Sequence, residues 1–146
     1  MDEIEARQDA IKYIGLRLVS SGQVRDKLLK KGYDENIVDN VIHQLIEMEY
    51  IDDLKYARNH IKNRNLLNPK SSRMLEMELS KKGISSDIID KAIGESDIDD
   101  FNTALELAKK RFKNFQRNDE NLKKLYTYLS YRGFDSETIM RISDML

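Results

Sequence analysis

Cysteine is absent from the 146 residues, which removes disulfide frameworks, thiolate nucleophiles and cysteine-ligated zinc from consideration. Proline occurs once and glycine six times, too sparse for a loop-rich or extended chain. No apolar run approaches the roughly 20 residues needed to cross a bilayer. The opening residues Met1-Asp2-Glu3-Ile4-Glu5 are acidic and lack the basic-then-apolar layout of a secretion signal, so a cytoplasmic protein is expected. Net charge is also nearly missing, with 25 basic residues against 26 acidic ones. With 40% hydrophobic and 35% balanced charged residues, the composition fits a helix-rich globular protein and not a disordered chain.

What is present is a pattern repeated three times. Leu28-Leu29-Lys30-Lys31-Gly32 recurs as Leu79-Ser80-Lys81-Lys82-Gly83 and as Leu129-Ser130-Tyr131-Arg132-Gly133. An apolar residue follows each glycine: Tyr33, Ile84 and Phe134. Upstream, Ala10, Ile14 and Arg17 recur as Ala57, Ile61 and Arg64, then as Ala104, Ala108 and Arg111. A period of about fifty residues belongs to helical repeat arrays, whose units bury their faces against neighbours. The expected fold is all-α, an elongated array of three tandem three-helix repeats over residues 1–50, 51–98 and 99–146.

Each repeat reads as three helices. Residues near 7–19 carry Ala10, Ile14 and Leu18 at helical spacing. Ser20 with Gln23 forms a capping-box signal, Val24, Leu28 and Leu29 give an apolar face, and Gly32 ends the helix. Asp34 is the expected cap of a third helix that buries Ile37, Val38, Val41, Ile42 and Leu45. In the second repeat, Asp52-Asp53 precede a helix near 53–66, Pro69 breaks the chain, Gly83 stops the next helix and Ser85 caps the last. In the third, Asp99-Asp100 precede a helix near 100–115, residues 116–120 form a polar linker, Gly133 stops the following helix and Asp135 caps the last.

Charge alternates with the repeat. Residues 12–33 hold six basic and one acidic residue, residues 34–53 hold seven acidic and none basic. Residues 55–82 hold eight basic and two acidic, residues 83–100 one basic and six acidic, residues 101–134 eight basic and three acidic. Two readings remain open: a basic stripe suited to a polyanion, or mutual attraction between neighbouring repeats.

The candidate contact residues are Lys30, Lys31, Lys81, Lys82 and Arg132, in last helical turns where the dipole also favours cations, and the denser run Lys109, Lys110, Lys113, Arg117, Lys123 and Lys124. Phe112 and Phe115, interleaved with that run, read as core. The pairs Asp52-Asp53 and Asp99-Asp100 resemble paired catalytic carboxylates, but one pair per structural unit points to helix capping. Arg17, Arg64 and Arg111 read as partly buried ties to a neighbouring carboxylate or helix end. Gly32, Gly83 and Gly133 read as structural. His43 and His60 have no metal-ligand spacing, and no glycine-rich phosphate loop or nucleophile elbow occurs. No residues support catalysis, a metal or a cofactor.

These residues, in this order, resemble the RecX family. The similarity runs from about residue 9 to 142. It includes Arg17 and Ser20, Lys27-Leu28, Lys31-Gly32, Glu49-Tyr50-Ile51-Asp52-Asp53 with Tyr56-Ala57, Glu78-Leu79, Lys82-Gly83-Ile84, and Leu129 with Arg132-Gly133-Phe134. Glu49 stands where the family often has glycine, and Gln23 where it often has glutamate. The family's usual glycine and arginine fall on Ser71 and Met74, with Arg73 one place off. The resemblance implies a regulator that binds the recombinase RecA and its filament on single-stranded DNA, lies along the filament groove and inhibits strand exchange, ATP hydrolysis and co-protease activity. It thereby implies a role in DNA repair and the SOS response. It also implies that the chain can contact DNA itself. Nothing demands more than a monomer. A DNA-binding helical repeat protein, or a helical adaptor without action on RecA, are the competing readings from the residues alone.

Overall fold

The computed structural model describes residues 2–146. Among them are nine α-helices and no strand: α1 Glu3–Ile14, α2 Ser21–Lys30, α3 Glu35–Glu47, α4 Asp53–Leu67, α5 Ser72–Lys81, α6 Ser86–Glu95, α7 Asp100–Arg111, α8 Asp119–Tyr131 and α9 Ser136–Met145. The chain divides into two compact units. One comprises residues up to Asn59 with Leu79–Ala92; the other comprises His60–Glu78 with Ile93–Leu146. The middle repeat therefore contributes to both.

Helix boundaries follow local chemistry. Ser20 and Gln23 form the capping box: the Ser20 N–H donates to Gln23 Oε1 at 2.9 Å and the Gln23 N–H to Ser20 Oγ at 3.2 Å. Asp34 accepts the Asn36 N–H and Asp135 the Thr138 N–H, both at 2.8 Å. Two first helices differ from their sequence-based bounds. Helix α1 starts early because Asp2 accepts the Glu5 N–H at 2.8 Å, and it stops at Ile14 because Gly15 turns to φ 54°. Arg17 and Leu18 therefore lie beyond the helix, and Val19 takes the buried place. Helix α7 stops at Arg111, four residues short of the expected end. There Phe112 turns to pack edge-on against Phe115 and Tyr128, with ring centroids 6.1 and 5.7 Å away. Aromatic packing outweighs continued helix at that point.

In the first unit, α1, α2 and α3 pack around Ala6, Ala10, Ile14, Val24, Leu28, Val38, Val41 and Leu45. The α2 N-terminus abuts the turn after α5. Ser20 Oγ donates to the Lys82 carbonyl at 2.6 Å. A Cβ on Gly22 would lie 2.3 Å from that carbonyl oxygen and 2.6 Å from Gly83 Cα, so only glycine allows the approach.

In the second unit, α7, α8 and α9 enclose Ala104, Ala108, Leu125, Leu129, Phe134, Ile139 and Ile142. The stacking device recurs there. The Ser71 N–H donates to the Arg132 carbonyl at 3.0 Å, and Gly133, at φ 94°, sits under Ser71 and Met74.

Candidate anion-binding surface

The acidic pairs divide their work in a way the sequence did not reveal. Asp52 and Asp99 cap their own helices, accepting the Lys55 N–H at 3.0 Å and the Asn102 N–H at 3.2 Å. Asp53 and Asp100 instead reach a different helix. Asp53 accepts the N–H of Ser21 at 2.7 Å and its hydroxyl. Asp100 accepts the N–H and hydroxyl of Ser72 at 2.9 and 2.7 Å. Both carboxylates are thereby held in structural bonds.

The basic candidates scatter. Lys30, Lys81, Lys109, Lys110, Lys113 and Lys123 are exposed, and Lys31 is an exposed C-cap whose Nζ lies 3.6 Å from Asp9. Lys82 is half-buried, and its backbone carbonyl accepts the Ser20 hydroxyl. Arg117 is tied to α9 through the Ser143 carbonyl at 3.0 Å and Asp144 at 3.1 Å, and Lys124 pairs with Glu120 at 3.3 Å. The dense run from 109 to 124 thus includes two cations already engaged at home. Arg132 lies over the Tyr128 ring, 3.9 Å from its centroid, and donates to the Tyr128 carbonyl at 3.1 Å.

The three repeated arginines have different surroundings. Arg17 is exposed, donates to the Tyr13 carbonyl and lies 4.9 Å from the Tyr13 ring centroid. Arg64 is half-buried, its Nε 3.0 Å from Glu78 Oε1. Arg111 is exposed, 5.7 Å from the Phe112 ring and 6.0 Å from that of Tyr128.

One residue, five places before the repeated glycine, decides which environment forms: Lys27, Glu78 or Tyr128. In the middle repeat, Glu78 draws in Lys70 at 2.9 Å, His60 at 2.9 Å and Arg64, and its side chain is only 17% exposed. Burial alone would raise its pKa. The hydrogen bonds from Lys70, His60 and Arg64 outweigh that and hold it at about 2. In the first repeat, Lys27 carries the opposite charge, its Nζ 5.6 Å from the Tyr13 ring centroid. A cleft of about 360 Å³ there is lined by Asp9, Lys12, Tyr13, Arg17, Lys27 and Lys31. Asp9 accepts the Tyr33 hydroxyl, and that bond, aided by Lys31, lowers its pKa against the effect of burial. Among the described residues, no carboxylate lies within 4.0 Å of Arg17 or Lys27. The cleft is therefore a net cationic, partly aromatic surface. A wider one of about 610 Å³ in the second unit mixes Lys110 and Arg132 with Asp97, Asp99 and Glu106, so its charges largely cancel. Lys12 and Tyr13 escaped the sequence reading, and Lys27 and Glu78 entered it only as family-matching positions and not as contact residues; the signal was their shared register before each Leu-x-x-x-Gly.

Among the described residues, no group of His, Asp and Glu could hold a metal ion, and no helix is long and apolar enough to cross a membrane. Fold and surface define a tandem three-helix repeat protein with a net cationic cleft in its first repeat. The family models for the first, second and third three-helix domains of RecX match residues 6–45, 52–93 and 97–142 in that order. The chain belongs to the RecX family. It is 35% identical to the regulatory protein RecX of Prosthecochloris aestuarii, over 99% of this chain and 95% of that one. It is 32% identical to that of Clostridium tetani, over 98% of this chain and 68% of that one. The fold matches the crystal structure of RecX from Lactobacillus salivarius with a TM-score of 0.78 at 24% identity, covering 99% of this chain and 96% of that one.

Proposed function

We propose that this chain is a binding regulator of RecA: it attaches to RecA and to RecA–single-stranded DNA filaments and lowers their recombinase, ATPase and co-protease activities without catalysing a reaction itself. It would act as a single chain in the cytoplasm, where it modulates DNA repair and the SOS response. The observation that carries this reading is the ordered match of all three repeats to the RecX family, over nearly the full length of a relative named as a regulatory protein. A helical array with exposed, carboxylate-free cations also suits a partner that is itself a protein wrapped on a polyanion. Sedimentation of RecA filaments assembled on single-stranded DNA with a non-hydrolysable nucleotide tests it. This protein should pellet with the filament and stay in solution without it. A protein that remains in the supernatant in both cases contradicts the proposal.

A second reading, a DNA-binding repeat protein whose phosphate contacts are its main activity, is favoured by the Arg17–Lys27 cleft. Salt separates the two, because binding driven by phosphate contacts weakens steeply as salt rises.

A further inference from the structure

The middle repeat shows what its arginine node does with an anion. Glu78 supplies the anion from within the chain, and three hydrogen-bond donors converge on it at 2.9–3.0 Å: Lys70, His60 and Arg64. The first repeat has the same framework. Tyr13 stands four residues before Arg17, as His60 stands before Arg64, and Lys27 occupies the register of Glu78. There a further cation stands in place of the anion. Lys12, Arg17, Lys27 and Lys31 then share one cleft with a single carboxylate, Asp9, already bonded by Tyr33 and near Lys31.

Unneutralised cations around an aromatic ring form a receptor for an oxyanion with several acceptor oxygens. Arg17, 4.9 Å from the Tyr13 ring centroid and anchored to the Tyr13 carbonyl, has its guanidinium held in place, which favours fork-like donation to phosphate oxygens. We infer that the cleft of Lys12, Tyr13, Arg17 and Lys27 binds a backbone phosphate of single-stranded DNA. In the middle repeat, Glu78 fills the corresponding node as a built-in substitute for that phosphate. The inference deepens the proposed filament-binding role by naming one nucleic-acid contact, and it is tested without RecA.

The experiment measures fluorescence anisotropy of a labelled oligothymidylate titrated with the full chain across a salt series. The wild type is compared with an R17E/K27E double variant and with the milder R17Q/K27Q. Arg17 and Lys27 are exposed, as is neighbouring Lys12, so circular dichroism should show unaltered helix content in both variants. Affinity should fall by about tenfold or more in R17E/K27E. The slope of log affinity against log salt should become shallower by about 0.7 for each phosphate no longer neutralised. Wild-type affinity and slope in both variants would overturn the inference, as would a wild-type chain that leaves the oligonucleotide free. RecA inhibition is assayed on the same variants. Loss of inhibition with intact oligonucleotide binding would reassign the cleft to an acidic protein surface, overturning the inference while leaving RecA regulation standing.

Discussion

Asp53 closes the N-terminus of a helix to which it does not belong, taking both the backbone N–H of Ser21 at 2.7 Å and the Ser21 hydroxyl. Asp100 and Ser72 repeat the arrangement one unit on. The free N–H groups of a helix start need acceptors, and here the next repeat provides one. Removing a capping carboxylate costs about 1–2 kcal/mol. D53A and D100A should each lower the urea midpoint by that equivalent. Amide exchange should accelerate first at the start of α2 in D53A and at the start of α5 in D100A. Equal, uniform acceleration in both variants would contradict a local capping role.

Two glycines should respond in opposite directions to alanine. A Cβ on Gly22 meets the Lys82 carbonyl oxygen at 2.3 Å and Gly83 Cα at 2.6 Å, both backbone atoms that cannot turn aside. G22A should therefore destabilise by about 2–3 kcal/mol, the scale of overpacking. Gly94 lies in α6 with nothing within 4 Å of an added Cβ. G94A should raise thermal stability by about 0.5 kcal/mol through helix propensity. Thermal melts of the two variants check both signs.

Glu49 is the one non-glycine residue with positive φ among the described residues, at 63°. A side chain in that conformation costs about 1 kcal/mol, which glycine avoids. E49G should raise the melting temperature by a few degrees. An unchanged or lower value would mean that the Glu49 side chain stabilises its loop by as much as the backbone strain costs.

Glu78 should govern the acid limb of stability. Its folded pKa, about 2, lies below the ordinary 4.5, so the stabilisation is fully present above pH 4.5 and is lost as pH falls towards 2. With the side chain 17% exposed, about 2 kcal/mol is expected at neutral pH after solvent screening. E78Q should lower stability at pH 7 and flatten the decline between pH 4.5 and 2. An unaltered acid limb in urea titrations would contradict this.

Much of the fold was legible because glycine, serine and aspartate mark helix ends directly. Gly32, Gly83, Gly133, Ser20, Asp34 and Asp135 all stand where their local chemistry predicts. The end of α7 was not legible, because Phe112 turns the chain to pack on Tyr128, and the end of α1 was missed although Gly15 is a local glycine stop of the same kind as Gly32. The surface was harder to read. Charge density along the chain pointed to residues 109–124, where Arg117 and Lys124 are tied within the molecule. The cleft of the first repeat is assembled from α1, its following turn and α2, so Lys12, Arg17 and Lys27 never form a run. The crossing of Asp53 to Ser21 was invisible for the same reason: capping within a helix has a fixed sequence spacing, and capping between repeats does not.

The most direct test of the regulatory role is the rate of ATP hydrolysis by RecA on single-stranded DNA, followed as this protein is titrated in. Inhibition at substoichiometric ratios to RecA is the predicted result, since one chain bound to a filament should affect many subunits. An unchanged rate at equimolar or higher ratios, with a folded protein and active RecA, would contradict RecA regulation.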